Sequence, residues 1–115
     1  MRILHIATAG DWSDALVAGV YRMSTLGVTI DEQGFIHAST PDQVQGTASR
    51  FYAGAEGPLV VLVMRTEALE AAGVPVRFED AGRGEVFPHL YAAVPVTVVD
   101  EVRPAAFDDA GTFGF

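Results

Sequence analysis

Six consecutive apolar residues, Leu59-Val60-Val61-Leu62-Val63-Met64, stand out in a chain whose hydrophobic and polar positions otherwise change over in short blocks. A run that is apolar on both faces of the pleat predicts a central strand covered from both sides. Arg2 to Ala7 predicts a first strand, and Asp11 caps a short expected helix, Trp12 to Ala18, with Gly19 as its stop. Val20 to Met23 and Val28 to Ile30 read as short extended pieces. Asp31-Glu32-Gln33-Gly34 reads as a turn into a strand from Phe35 to Ala38. Thr40-Pro41-Asp42-Gln43 has threonine at a cap, proline at the first helical position and glutamine three residues on, the pattern of a capping box. The helix it opens carries Val44, Ala48 and Phe51 on a buried face and ends at Gly54. Thr66 to Ala72 predicts another helix, stopped by Gly73. Val74 to Phe78 predicts a strand, Asp80 to Gly84 a glycine-rich loop, and Val96 to Arg103 a final long strand. Phe113 and Phe115 in the tail predict that it folds back onto the body.

Helices and strands mix without a βαβ rhythm, so a doubly wound sheet is not expected. The expected class is α+β, with about seven strands, two or three short helices and a curved or split sheet. The 115 residues suffice for a single domain over the whole chain with one modest core. No apolar run approaches the roughly 20 residues of a membrane span, and the first residues lack a signal-peptide layout. A soluble, cytoplasmic protein is expected, with no membrane partner.

Composition removes several chemistries. Cysteine is absent, which excludes disulfides, thiolate nucleophiles and sulfur-ligated metals. All seven basic residues are arginine, so a Schiff base and a P-loop are excluded as well. The net charge of −8 repels phosphate backbones, so nucleic acid is not an expected partner.

What remains is concentrated in two strings, Gly34-Phe35-Ile36-His37-Ala38-Ser39-Thr40-Pro41 and Phe87-Pro88-His89-Leu90-Tyr91. If each runs extended, Phe35, His37 and Ser39 share one face, and Phe87, His89 and Tyr91 share another. Each face then offers an aromatic, a histidine and a hydroxyl. Such a face suits a small-molecule ligand, with imidazoles to hydrogen-bond it and flat rings to cover it. The alternative is a core histidine packed on apolar neighbours. His5 lies alone on the first strand, and three histidines scattered on different elements do not suggest a metal site. Thr40 is explained as a cap, whereas Ser39 is not needed for capping and follows His37. Glu85 enters the segment of His89 and would suit stabilisation of an oxocarbenium ion, a role for which Glu79 competes equally. Arg83 could meet a phosphate, although its place in a glycine-rich loop more often means solvent. Trp12 and Tyr21 read as core aromatics.

The run His5-Ile6-Ala7-Thr8, then Trp12, Gly19, Tyr21 and Ser24, then the two histidine strings with Gln43, resembles a family of small bacterial proteins, domain of unknown function 952. The resemblance spans nearly the whole chain. It departs at Ala92 and Ala93, where the family tends to carry glycine and proline, and in a longer stretch from Gly27 to Glu32. That family is similar in fold to the ADP-ribosyltransferases, which implies an α+β fold of split sheets around a central NAD cleft. His5-Ile6-Ala7-Thr8 resembles the first-strand motif whose histidine holds the NAD ribose. Ile36-His37-Ala38-Ser39 resembles a segment of the RNA 2′-phosphotransferases, whose basic N-terminal portion and catalytic arginines are missing here. No glutamate-x-glutamate pair surrounds Glu85.

The resemblance implies a small-molecule pocket that binds NAD or a related nucleotide. His5, Thr8, Ser39 and Tyr91 would hold the ligand, and His37, Glu85 and His89 would carry any transfer or hydrolysis at its glycosidic bond. The alternative is a non-catalytic binding or regulatory module that kept the pocket and lost the chemistry. No cofactor other than this hypothetical NAD or ADP-ribose is implied.

Overall fold

The computed structural model describes residues 1–80, 82 and 84–115. Arg83 therefore lies outside the described residues.

The chain is α+β, with short helices set around several antiparallel sheets. The apolar run forms β6 (Leu59–Arg65), which pairs antiparallel with β1 (Arg2–Thr8) on one side and β10 (Glu101–Phe107) on the other. Alternation along β1 and β6 divides the core in two. Ile3, Ala7, Leu62 and Met64 face one cluster, while Leu4, Ile6, Val61 and Val63 face a second. The first is closed by Ala15, Tyr21, Ile36, Leu69 and Leu90, the second by Val44, Ala48, Tyr52 and Phe113. That two-sided cover is why β6 carries no polar alternation. Phe113 is buried and Phe115 remains partly exposed, so the tail does fold back. β11 (Phe113–Gly114) pairs with the end of β10, and Gln45 of α3 (Val44–Phe51) accepts from the Phe113 amide at 3.2 Å.

Several boundaries differ from expectation for identifiable reasons. α1 spans Ala9–Ala18 and is capped by Thr8, whose hydroxyl accepts from the Asp11 amide at 3.0 Å, so Asp11 sits inside the first turn instead of capping it. Gly19 ends that helix at φ 87°, a conformation that favours glycine. α3 starts later than its proline predicted. Gln43 accepts from the Thr40 amide at 3.0 Å, which completes half of a capping box around an intervening turn. The full capping box is at Thr29 and Glu32, which open α2 (Ile30–Gln33) where a turn was expected. The last long strand is displaced to Glu101–Phe107, with Val96–Val98 a short 3-10 turn. Val96, Val98 and Val99 pack on the first core cluster, so their apolarity reflects burial and not strand pairing.

The second principal sheet has three strands in the order β5 (Ile36–His37), β8 (Val86–Leu90) and β7 (Val76–Asp80), all antiparallel. Its one face presents Ile36, Leu90 and Val76 to the first core cluster. The opposite face carries the candidate chemistry. Among the described residues no helix is long and apolar enough to cross a membrane.

Candidate functional site

Antiparallel pairing places His37 directly opposite His89, and His89 directly opposite Arg77. Residues opposite one another on paired strands point to the same face, and the period of two adds their neighbours two residues away. Phe35, His37, Phe87, His89, Tyr91, Arg77 and Glu79 therefore occupy one side of one sheet. The two strings, separate in sequence, form a single surface.

The contacts bear this out. The His37 and His89 rings lie 5.6 Å apart, and His37 is 5.1 Å from Phe87. Phe35 stacks on His89 with centroids 3.9 Å apart, and lies 5.8 Å from Tyr91. His89 donates through Nδ1 to Glu79 Oε1 at 2.9 Å, and the Tyr91 hydroxyl donates to the same carboxylate oxygen. Those two donors, Tyr91 first, hold the Glu79 carboxyl below its ordinary range, and the carboxylate in turn raises the Tyr91 phenol. With Nδ1 as the donor, it is Nε2 that carries the lone pair in the neutral form of the ring. The Arg77 guanidinium covers the Tyr91 ring at 5.3 Å.

Beside this face lies a cavity of about 200 Å³ lined by Ser24, Thr25, Gln33, Phe35, His37 and Phe51. Its aromatic walls are Phe35 and Phe51, with the Arg50 guanidinium 5.8 Å from the Phe51 ring. Ser24 Oγ and His37 Nε2 are buried without a protein partner, and so is His89 Nε2 behind Phe35. Burial, then His89, then Arg50 lower the His37 pKa to about 4, so its imidazole is neutral at pH 7. A separate groove of about 180 Å³ beside α1, near Asp11, Asp14 and Arg22, holds none of these unpartnered atoms.

The sequence-derived candidates divide sharply. His37, His89 and Tyr91 come together on the sheet face. His5 lies directly beneath it: its Nδ1 donates to the His37 carbonyl at 2.6 Å and its Nε2 accepts from the Tyr21 hydroxyl at 2.7 Å. With both ring nitrogens occupied and the ring buried, His5 fixes the backbone that carries His37. Ser39 shares a 2.8 Å hydrogen bond with Thr47 of α3, and Thr8 caps α1. Glu85 is exposed and 3.2 Å from the Gln43 amide nitrogen, whereas Glu79 is the carboxylate at the histidines. Trp12 is partly buried against the first core cluster, which contains Tyr21.

Four cavity residues, Ser24, Thr25, Gln33 and Phe51, are not among the sequence-derived candidates. Ser24 entered only through the family resemblance, and Phe51 was assigned to a buried helix face. Its place at the end of α3, 43% exposed, sets it at the cavity instead of in the core.

The family described as "Protein of unknown function (DUF952)" matches residues 6–102. The chain belongs to the DUF952 family. Among solved structures, this DUF952 protein is similar to the crystal structure of CC0527 from Caulobacter crescentus. The two are 29% identical, with a TM-score of 0.83 over 99% of this chain and 94% of that one. The solution structure of CC0527 gives 29% identity and a TM-score of 0.77 over 96% and 90% of the two chains. No curated protein matches the DUF952 chain.

Proposed function

We propose that this DUF952 protein binds a nucleotide-type small molecule, NAD or ADP-ribose, with one ring or sugar of it seated in the cavity between Phe35 and Phe51. The observation that carries the reading is the pair of buried, unpartnered atoms Ser24 Oγ and His37 Nε2 on residues lining a cavity that Phe35 and Phe51 wall beside Thr25 and Gln33. A buried polar atom without a partner costs about 1–3 kcal/mol, which a ligand hydroxyl, amide or carbonyl would offset. The cavity is smaller than the roughly 300–1,000 Å³ of a whole-ligand pocket, so the remainder of the molecule lies outside it. Arg50 over the Phe51 ring and Arg77 over the Tyr91 ring supply local positive charge against the −8 of the chain.

The resemblance to ADP-ribosyltransferases extends this reading to transfer or hydrolysis at the glycosidic bond. In that mechanism His37 contacts the ligand, and Glu79 holds His89 in the tautomer able to accept a proton. A binding module without chemistry is favoured by a different observation. Glu79 is already engaged by His89 and Tyr91, and Glu85 by Gln43. Neither carboxylate is aimed at the cavity unaided.

Calorimetry at low salt tests the proposal. NAD or ADP-ribose is expected to bind with a Kd on the order of 10–1000 μM, or about −4 to −7 kcal/mol. Ser24→Ala and His37→Ala are each expected to weaken it. No heat from either ligand at millimolar concentration would contradict binding, and binding without release of nicotinamide would select the module over the enzyme.

A further inference from the structure

His37 and His89 sit far apart in the chain, which is why their spacing suggests no metal site. The β5–β8 register nevertheless sets them directly opposite one another with ring centroids 5.6 Å apart. An ion about 2.0–2.1 Å from one nitrogen of each of two imidazoles puts their centroids roughly 5–6 Å apart at tetrahedral to trigonal angles. Nε2 of both rings is buried and without a protein partner. His89 is also backed by a carboxylate: its Nδ1–H is held by Glu79 at 2.9 Å, and Glu79 is fixed in turn by the Tyr91 hydroxyl. A carboxylate behind the distal N–H is the usual support of a ligating histidine, because it sets the tautomer and makes the other nitrogen more basic.

We propose that His37 Nε2 and His89 Nε2 together bind one divalent transition-metal ion of the zinc, nickel or copper class, with Glu79 as the positioning residue of His89. Imidazole pairs suit this class of ion and not magnesium or calcium. Among the described residues no group of three or more His, Cys, Asp or Glu is placed to hold a metal. The ion would therefore keep its other positions for water or for an oxygen of a molecule in the cavity that His37 lines. Open positions of that kind belong to metal sites that meet substrate, whereas structural zinc sites are closed by four protein ligands. His5 cannot compete for the ion, because both its nitrogens are engaged by Tyr21 and the His37 carbonyl.

The inference does not rest on the nucleotide reading, with which it competes for His37 Nε2, and its probe is the metal ion alone. Zn²⁺ added to the native chain is expected to bind once per chain in calorimetry. Cu²⁺ is expected to show, by electron paramagnetic resonance, coupling to two imidazole nitrogens. Glu79→Gln is expected to weaken Zn²⁺ binding roughly 10–100-fold. The copper spectrum needs no variant, so it decides the matter even if a substitution at the site impairs folding. Coupling to one nitrogen or none, the absence of Zn²⁺ heat at millimolar ion, or unchanged affinity in a folded Glu79→Gln protein would overturn the proposal.

Discussion

The two main sheets of this DUF952 protein use histidine in opposite ways. In the β1–β6–β10 sheet, His5 is buried and both ring nitrogens are satisfied by the protein itself. In the β5–β8–β7 sheet, His37 and His89 are also largely covered, yet Nε2 of each has no partner. Folding tends to satisfy buried polar atoms, so the first arrangement is what stability alone produces. The second leaves hydrogen-bonding capacity unspent on one face of a sheet whose other face is ordinary core. On the reading proposed above, His5 holds the fold while His37 and His89 each keep a nitrogen for a ligand.

The largest expected effect breaks the first sheet. Leu62→Ala opens a cavity in the strand shared by both core clusters and is expected to cost about 2–5 kcal/mol in chemical denaturation. His37→Ala is expected to cost less, because it removes an unpartnered buried nitrogen along with its ring contacts. If His37→Ala proves the worse of the two, the second sheet depends on its histidine as the first depends on its leucine.

Next in size is a pH effect carried by His5. Burial is the main cause lowering its pKa from 6.5 to about 4, opposed by its bond to the His37 carbonyl. Below pH 6.5 the unfolded chain takes up a proton that the folded chain refuses, so stability falls as pH drops from about 6.5 to about 4 and then levels off for this group. The loss amounts to about 3 kcal/mol over that window. Carboxylates with lowered pKa, such as Glu32 and Glu101, destabilise the fold only as pH falls below their unfolded value near 4.5. Melting curves between pH 7 and pH 5 therefore isolate the histidines. A folded His5→Gln variant should show a shallower slope there, and an identical slope would contradict the assignment.

Smaller effects sharpen the division among residues of similar sequence appearance. Ser39→Ala strands the buried Thr47 hydroxyl and is expected to cost about 1–3 kcal/mol while leaving ligand affinity unchanged. Thr8→Ala removes the α1 cap, at about 1 kcal/mol, again without effect on affinity. Denaturation paired with calorimetry on each variant checks both statements.

Much of this was legible in the sequence, and the exceptions have physical causes. The apolar run 59–64 announced a strand covered on both faces because it is too short for a typical buried helix and half of it is β-branched valine. The period of two correctly grouped Phe87, His89 and Tyr91, since alternation is intrinsic to an extended chain. Pairing is not local, so no pattern within either string could reveal that His37 and His89 would lie opposite one another. The same limit hid the fate of Ser39, which turns on Thr47 eight residues later in a helix, and of His5, whose partner Tyr21 belongs to another element. Glu79 and Glu85 were equivalent as sequence, and only the β7–β8 register separates them: Glu79 shares the face of His89, whereas Glu85 precedes the strand and is exposed. The α2 capping box was readable in Thr29-Ile30-Asp31-Glu32 but was masked by the neighbouring Gly34, which suggested a turn.

If the face carrying His37 binds a ligand while the sheet holding His5 only supports it, the two histidines must respond differently to that ligand. Nitrogen-15 labelling of the three histidine side chains, followed by NMR during titration with ADP-ribose, tests it most directly. The His37 ring resonances should move with added ligand, and the Nδ1 and Nε2 resonances of His5 should stay where its two hydrogen bonds hold them. Movement of His5 with His37 unmoved, or no movement of any histidine at millimolar ligand, would contradict the account.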